Sequence, residues 1–127
     1  MEWALEEVFE ADEPGTCLCG HFPIIELCIL LNRLNGVRVT VGNCCVKNII
    51  GLPSDRIFQA IKRIRRDESA SLNAEAIEHA FRRGWIDDWQ RKFYLDVMRK
   101  RNLTEKQLTK KLAINDLVLR NMKRPAR

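Results

Sequence analysis

The chain has 127 residues, a formal net charge of +5 and 46% hydrophobic residues. This length corresponds to one domain, or to a small module with a helical extension, and we therefore expect no large multidomain enzyme. The hydrophobic content excludes wholesale disorder. A membrane helix needs roughly 18 apolar residues, whereas the longest apolar run, Leu27–Leu31, has five.

Acidic and basic residues are unevenly distributed along the chain. Residues 1–13 hold six acidic side chains and no basic one, and the rest of the chain holds 22 basic and 11 acidic side chains, a net charge of +11. A basic body behind a short acidic arm is typical of a protein with a polyanionic partner. An acidic N-terminus also lacks the lysines of a secretory signal, so we expect a cytoplasmic protein that contacts no membrane.

The acidic arm, residues 1–13, contains the apolar residues Trp3, Leu5, Val8 and Phe9. Positions 5, 8 and 9 have the spacing of one face of a helix, which predicts a short helix that docks on the body. The alternative is that the arm is a solubilising end of the chain.

The cysteines are the most informative feature of the sequence. All five lie between positions 17 and 45, and none occurs in the last 82 residues. An odd number of thiols in a reducing compartment disfavours a disulfide framework, whereas clustered thiolates often bind zinc. The turn from Cys17 through Cys19 to His21 places up to three zinc-binding side chains on one loop. The alternative is that the cysteines pack as small buried hydrophobes.

The residues after this turn predict a β-hairpin and a short helix. Ile24–Leu31 and Val37–Val41 have the character of strands, and Asn35-Gly36 between them is a strong hairpin turn signal. Asn43 can cap a helix whose first turn contains Cys45. A cysteine-bearing turn, a hairpin and a cysteine at a helix N-terminus are arranged as in a treble-clef zinc module.

This segment resembles a small treble-clef-like zinc module of phage and bacterial proteins. The pattern is CxCG from Cys17, the Asn35-Gly36 turn and VGxxCVK over 41–47, and it covers about residues 16–50. The resemblance implies a zinc ion held by Cys17, Cys19 and Cys45.

The fourth zinc ligand stays open between Cys28, His21 and Cys44. Adjacent residues at a helix start diverge by about 100°, so Cys44 and Cys45 are not expected to bind one ion together. Three or four thiolates would quench the Lewis acidity of zinc, and the sequence has neither HExxH nor a deaminase motif. We therefore predict a structural zinc and no enzymatic activity.

The remaining sequence predicts a helical domain of about four helices over residues 53–122. Ser54 and Asn73 are expected N-caps, and the segment from Thr104 to Gln107 has the signature of a capping box. The third helix is expected to begin at Trp85. We predict buried positions at Ile86, Trp89, Phe93, Val97, Met98, Leu108, Leu112, Ala113 and Leu117, and we place His79 on a helix surface. Core packing of the aromatic residues is favoured over a base-stacking platform.

Basic side chains cluster near the ends of these helices. They complement the helix dipole, and they are also the candidate contacts to nucleic acid or to a partner protein. The candidate contacts are Lys62, Arg63, Arg65, Arg66, Arg99, Lys100, Arg101, Lys106, Lys110 and Lys111. Lys123–Arg127 is expected to be a basic, frayed tail.

Together these features predict an α+β protein with an acidic arm (1–13), a zinc-binding β-hairpin module (14–52), a helical domain (53–122) and a basic tail (123–127). The leading functional hypothesis is a non-enzymatic nucleic-acid-binding or accessory protein of phage or prophage type. The alternative is a phage-encoded interaction module that inhibits a host nucleic-acid enzyme or defence complex. A zinc-dependent nuclease is disfavoured because no histidine-rich metal site accompanies the module. No small-molecule substrate is expected.

Overall fold

The structure, a computed structural model, describes residues 2–15, 24–43, 46 and 54–124. Within these residues the chain is α+β, and it divides into a sheet unit (1–55 with 122–127) and a helical unit (56–121). The strands are β1 (Trp3–Gly15), β2 (Ile24–Asn32), β3 (Arg38–Gly42) and β4 (Lys123–Arg124), and the helices are α1 (Ser54–Arg66), α2 (Ala74–Arg82), α3 (Asp88–Val97) and α4 (Glu105–Met122).

The sheet has the strand order β3-β2-β1-β4. Strand β2 pairs antiparallel with both β1 and β3, and the two-residue β4 lies parallel to β1. The hairpin strands β2 and β3 lie where the sequence predicts them. The expectation of a frayed tail is wrong at Lys123 and Arg124, because their backbone pairs with Glu10 and Ala11.

The prediction that the acidic arm is a short helix or a solubilising end is wrong. Residues 3–15 form β1, a central strand, and Val8 and Phe9 are 0% exposed. The misleading signal is the spacing of Leu5, Val8 and Phe9. The register shifts between Leu5 and Glu7, so that Leu5 lies opposite Leu30 and Val8 lies opposite Cys28. This β-bulge brings Leu5 and Val8 to the same face of the sheet. Their spacing of three residues therefore resembles that of a helix.

Both faces of the sheet centre are buried. On one face Cys28 lies directly opposite Val8 on β1 and Val41 on β3, and all three side chains are buried. On the other face Phe9 lies opposite Leu27, in a cluster that is completed by Ala11 and Ile29. The acidic arm is therefore part of the core of the sheet unit.

The turn between β2 and β3 is fixed by two asparagine side chains. Asn32 Oδ1 accepts hydrogen bonds from the backbone N–H groups of Leu34 at 2.9 Å and Asn35 at 3.4 Å. Asn35 Oδ1 accepts from the N–H of Val37 at 2.9 Å. Gly36 has a φ of 74°, a left-handed conformation that glycine adopts without steric cost. The predicted hairpin turn is confirmed.

Two predicted helix caps are confirmed. Asn73 Oδ1 accepts a hydrogen bond from the N–H of Ala76 at 3.0 Å. Thr104 and Gln107 form the reciprocal capping box, with Gln107 N–H donating to Thr104 Oγ1 at 3.1 Å and Thr104 N–H donating to Gln107 Oε1 at 3.0 Å. Both caps satisfy N–H groups that have no partner inside the helix.

Helix α3 begins three residues later than predicted, at Asp88 instead of Trp85. Asp87 is its N-cap and forms a capping box with Gln90, with distances of 2.7 Å and 2.9 Å for the two hydrogen bonds. This box was missed because it has an aspartate in the place of the usual serine or threonine.

The buried faces of α3 and α4 differ from the predicted ones. Helix α3 buries Tyr94 and Val97, while Trp89 is 55% exposed and Phe93 is only half-buried. None of the four positions predicted to be buried on α4 is fully buried. The residues that α4 buries are Lys111, Ile114, Asn115, Val118 and Met122.

His79 is a core residue, and the expectation that it lies on a helix surface is wrong. Its side chain is 1% exposed, and its ring meets that of Trp85 edge-on, with centroids 5.1 Å apart. Burial, with the nearby positive charges of Arg82 and Arg83, lowers the pKa of His79 to about 3.

Among the described helices, none has the length and apolar character required to span a membrane.

Candidate functional site

Most of the predicted zinc ligands lie outside the described residues. These are Cys17, Cys19, His21, Cys44 and Cys45. Within residues 2–15, 24–43, 46 and 54–124, no group of three or more His, Cys, Asp or Glu side chains is arranged to hold a metal ion.

Cys28 is the one candidate ligand that the described residues include. Its thiol is fully buried on β2, and its directly paired neighbours are Val8 and Val41. These described neighbours are apolar, as is usual for a cysteine that packs as a hydrophobe. The identity of the fourth zinc ligand therefore stays a prediction.

Positive charge is concentrated in the helical unit. Residues 56–121 contain 16 basic and nine acidic side chains, a net charge of +7, whereas the rest of the chain contains six basic and eight acidic, a net charge of −2. An excess of this size raises the local concentration of polyanions through long-range attraction. This charge makes the helical unit the candidate site for a polyanion.

Two of the predicted basic clusters meet through one serine. Arg63 Nε on α1 donates a hydrogen bond to the backbone oxygen of Ser71 at 2.9 Å. Ser71 Oγ donates in turn to the backbone oxygen of Met98, after the end of α3, at 3.0 Å. The C-terminal ends of α1 and α3 therefore adjoin. We call the exposed side chains at these ends the basic helix ends: Lys62, Arg63, Arg65, Arg66, Arg99, Lys100 and Arg101.

The inter-helix loop, residues 67–73, is held by buried polar side chains from α3 and α4. Tyr94 Oη accepts a hydrogen bond from the N–H of Leu72 at 2.9 Å and donates to Asn115 Oδ1 at 2.6 Å. Asn115 Nδ2 donates to the backbone oxygens of Glu68 and Ala70, each at 3.0 Å. Burial raises the pKa of Tyr94 to about 12, so the hydroxyl remains a donor at neutral pH.

Lys111 belongs to this network and does not fit its predicted role as a surface contact. Its side chain is buried, and its Nζ donates a hydrogen bond to the backbone oxygen of Ser69 at 2.9 Å. Burial lowers the pKa of Lys111. Its ammonium binds the inter-helix loop and is not an exposed contact for a partner. Sequence reasoning missed this because lysine is rarely buried unless it has a partner.

A second exposed feature lies on α3 and α4. The rings of Trp89 and Phe93 are stacked, with centroids 5.3 Å apart and planes 8° from parallel. Lys110 Nζ lies over the Trp89 ring, 4.7 Å from its centroid. Lys106, one turn before Lys110, is also exposed. We call Trp89, Phe93, Lys106 and Lys110 the aromatic–lysine patch.

The sequence contains a signal for this patch that the prediction did not use. Trp89 and Tyr94 are five positions apart, about 140° around a helix of 3.6 residues per turn. They therefore cannot both face one core. Tyr94 takes the buried side because Leu72 and Asn115 supply its hydrogen bonds, and Trp89 is left exposed.

Comparison with known proteins adds no assignment to these features. No family model, curated protein or solved structure matches the chain. A functional conclusion therefore depends on the residues and geometry of this chain alone.

Proposed function

We propose that the protein is a non-enzymatic nucleic-acid-binding protein of phage or prophage type, whose basic helix ends contact backbone phosphates. The observation that carries the proposal is the junction at Ser71, which joins two basic helix ends in a unit with a net charge of +7. Arginine and lysine that replace condensed counterions on phosphates provide most non-specific affinity for nucleic acids.

The inter-helix loop supports this proposal because it limits the motion of the basic helix ends. Side chains from α3 and α4 hold four of its backbone groups, at Glu68, Ser69, Ala70 and Leu72. A fixed spacing between cationic groups lowers the entropy that is lost when they bind a polyanion. The arrangement fits a surface that binds a regularly spaced phosphate backbone.

A charge-reversal variant tests the proposal. We expect the triple variant Arg65→Glu, Arg66→Glu and Arg99→Glu to weaken binding of a fluorescein-labelled 20-base-pair DNA duplex by at least about tenfold, since each lost phosphate contact removes part of the counterion-release term. Arg63 is retained because it holds Ser71. Fluorescence anisotropy at low salt measures the dissociation constants.

The matched control is Arg82→Glu, Arg83→Glu and Arg120→Glu, which changes the net charge of the helical unit equally at exposed positions that are not among the basic helix ends. We expect a loss of affinity of less than about threefold for this control, by long-range charge alone. Equal losses in both variants would show that net charge and not the basic helix ends determines binding. Absence of duplex and single-strand binding by the wild type would refute the function.

We also propose that a structural zinc stabilises a treble-clef-like module formed by Cys17, Cys19 and Cys45, with the fourth ligand supplied by Cys28, His21 or Cys44. The clustered cysteines and the hairpin at its expected position support this module. The zinc would fix the local fold and take no part in a reaction.

Native mass spectrometry tests the zinc proposal. We expect one zinc per chain, which Cys17→Ser or Cys45→Ser removes together with part of the folding free energy. Protein purified without chelator that carries no metal would contradict the zinc proposal and would leave the cysteines as core residues.

A second candidate function is inhibition of a host nucleic-acid enzyme or defence complex through protein contact. The turn between β2 and β3 favours it, because Leu34 is 81% exposed on a backbone fixed by Asn32 and Asn35. An exposed apolar side chain on a rigid turn can fill a pocket of a partner at little entropic cost. This candidate gains support if the wild type binds no nucleic acid in the assay above.

A further inference from the structure

We propose that the aromatic–lysine patch binds an unpaired base of a single-stranded nucleic acid, with Trp89 as the stacking surface. This inference rests on the proposed function and adds to it a preference for unpaired segments. Tryptophan is usually largely buried in folded proteins. In this protein Trp89 is 55% exposed, whereas Tyr94 on the same helix is buried.

The geometry of the patch suits a flat apolar ligand. Phe93 lies parallel to Trp89 and supports its ring, so the indole offers a broad surface whose orientation is already fixed. Every nucleobase has a π-face, and stacking on an aromatic side chain therefore requires no particular sequence.

The lysines decide between a nucleic acid and an apolar protein segment as the occupant. Lys110 Nζ lies over the Trp89 ring, where it makes a cation–π contact. An incoming base would displace this flexible side chain and leave its ammonium beside the adjoining phosphate. Lys106 is exposed on the same helix, and the unit has a net charge of +7. The charge therefore complements a phosphate backbone.

Binding of short oligonucleotides to the full chain tests this inference. The probes are fluorescein-labelled dT15, U15 and a blunt-ended DNA duplex in which every base is paired. We expect Trp89→Ala to weaken binding of dT15 or U15 by about tenfold and duplex binding by less than about twofold, because only an unpaired base can stack on the ring. The two single-stranded probes distinguish DNA from RNA.

Two further variants make the result specific to the indole ring. Trp89→Phe retains a π-face, and we expect affinity for dT15 within about threefold of the wild type. Leu108→Ala removes an exposed apolar side chain from α4 without removing a π-face, and we expect no change. Tryptophan fluorescence is a second readout. The contribution of Trp89 is the difference between the wild type and Trp89→Phe, and we expect dT15 to quench this contribution.

The outcomes separate this inference from the function on which it rests. If the wild type binds all probes and Trp89→Ala binds dT15 and U15 with unchanged affinity, the stacking site is overturned. The phosphate-binding function would not be affected by that result. An equal loss on duplex and single-stranded probes would also overturn the stacking site. A wild type that binds no probe would refute both, and Trp89 would then be assigned to a contact with protein.

Discussion

His79 shows how a single side chain links composition to stability. The imidazole is buried between a T-shaped contact with Trp85 and the positive charges of Arg82 and Arg83. Burial disfavours the charged ring most, and the positive charges of Arg82 and Arg83 add to this effect, which is why the pKa falls to about 3. The histidine is therefore neutral in the folded protein throughout the physiological pH range.

The lowered pKa predicts a loss of stability on acidification. Between pH 6.5 and 3 the unfolded chain binds a proton that the folded His79 does not, so stability falls as the pH falls through this window. From pH 7 to pH 5 we expect the wild type to lose about 2 kcal/mol more of unfolding free energy than His79→Phe. Urea unfolding at the two pH values measures this difference. Equal losses in both proteins would contradict the assignment.

At the scale of the elements, the main feature is that the buried face of α4 contains two polar side chains among its apolar ones. Lys111 and Asn115 occupy buried positions and donate hydrogen bonds to the inter-helix loop. A buried polar group is costly unless it is paired, so these residues specify one position for the loop. The helix is thus both a core element and the support of the basic helix ends.

Asn115→Ala tests this role of α4. The variant removes two hydrogen bonds to loop carbonyls and the acceptor of the Tyr94 hydroxyl, and we expect a loss of about 2–3 kcal/mol in unfolding free energy. The matched control is Asn121→Ala. Within the described part of the chain, the Asn121 amide donates to the Leu117 oxygen of its own helix and to no loop carbonyl, so we expect a change below about 0.5 kcal/mol. Comparable changes in the two variants would show that the network contributes nothing beyond helix propensity.

The elements also show how far the sequence predicts this fold. The hairpin and the caps at Asn73 and Thr104 follow from local chemistry, which is why they are predicted correctly. Strand β1 and the buried face of α4 depend on long-range partners. A bulge in β1 imitates a helical period, and the loop carbonyls that Asn115 binds lie 45 and 47 positions away in the chain. No local pattern contains that information.

The same distinction applies to the candidate site. Clusters of arginine and lysine are visible in the sequence, but their meeting at Ser71 depends on tertiary structure. The exposure of Trp89 likewise depends on Tyr94 taking the buried position. The predicted zinc ligands Cys17, Cys19 and Cys45 and the fourth-ligand candidates His21 and Cys44 lie outside the described residues, so the zinc site stays a prediction from the cysteine pattern.

At the scale of the whole molecule, charge is divided between two units. The sheet unit has a net charge of −2 and a core built from three antiparallel strands, whereas the helical unit has a net charge of +7. A uniform surface charge would serve solubility equally well. Concentration of the positive charge in one unit favours a polyanionic partner for that unit.

The measurement that tests this account most directly is the salt dependence of wild-type binding to a DNA duplex. We expect the logarithm of the association constant to fall linearly with the logarithm of the salt concentration. Contacts from the basic helix ends to about three to six phosphates would give a slope of about −3 to −5, at roughly 0.9 per phosphate. A slope near zero, or absence of binding to both a duplex and a single strand at 50 mM salt, would contradict the assignment of the basic helix ends to nucleic acid.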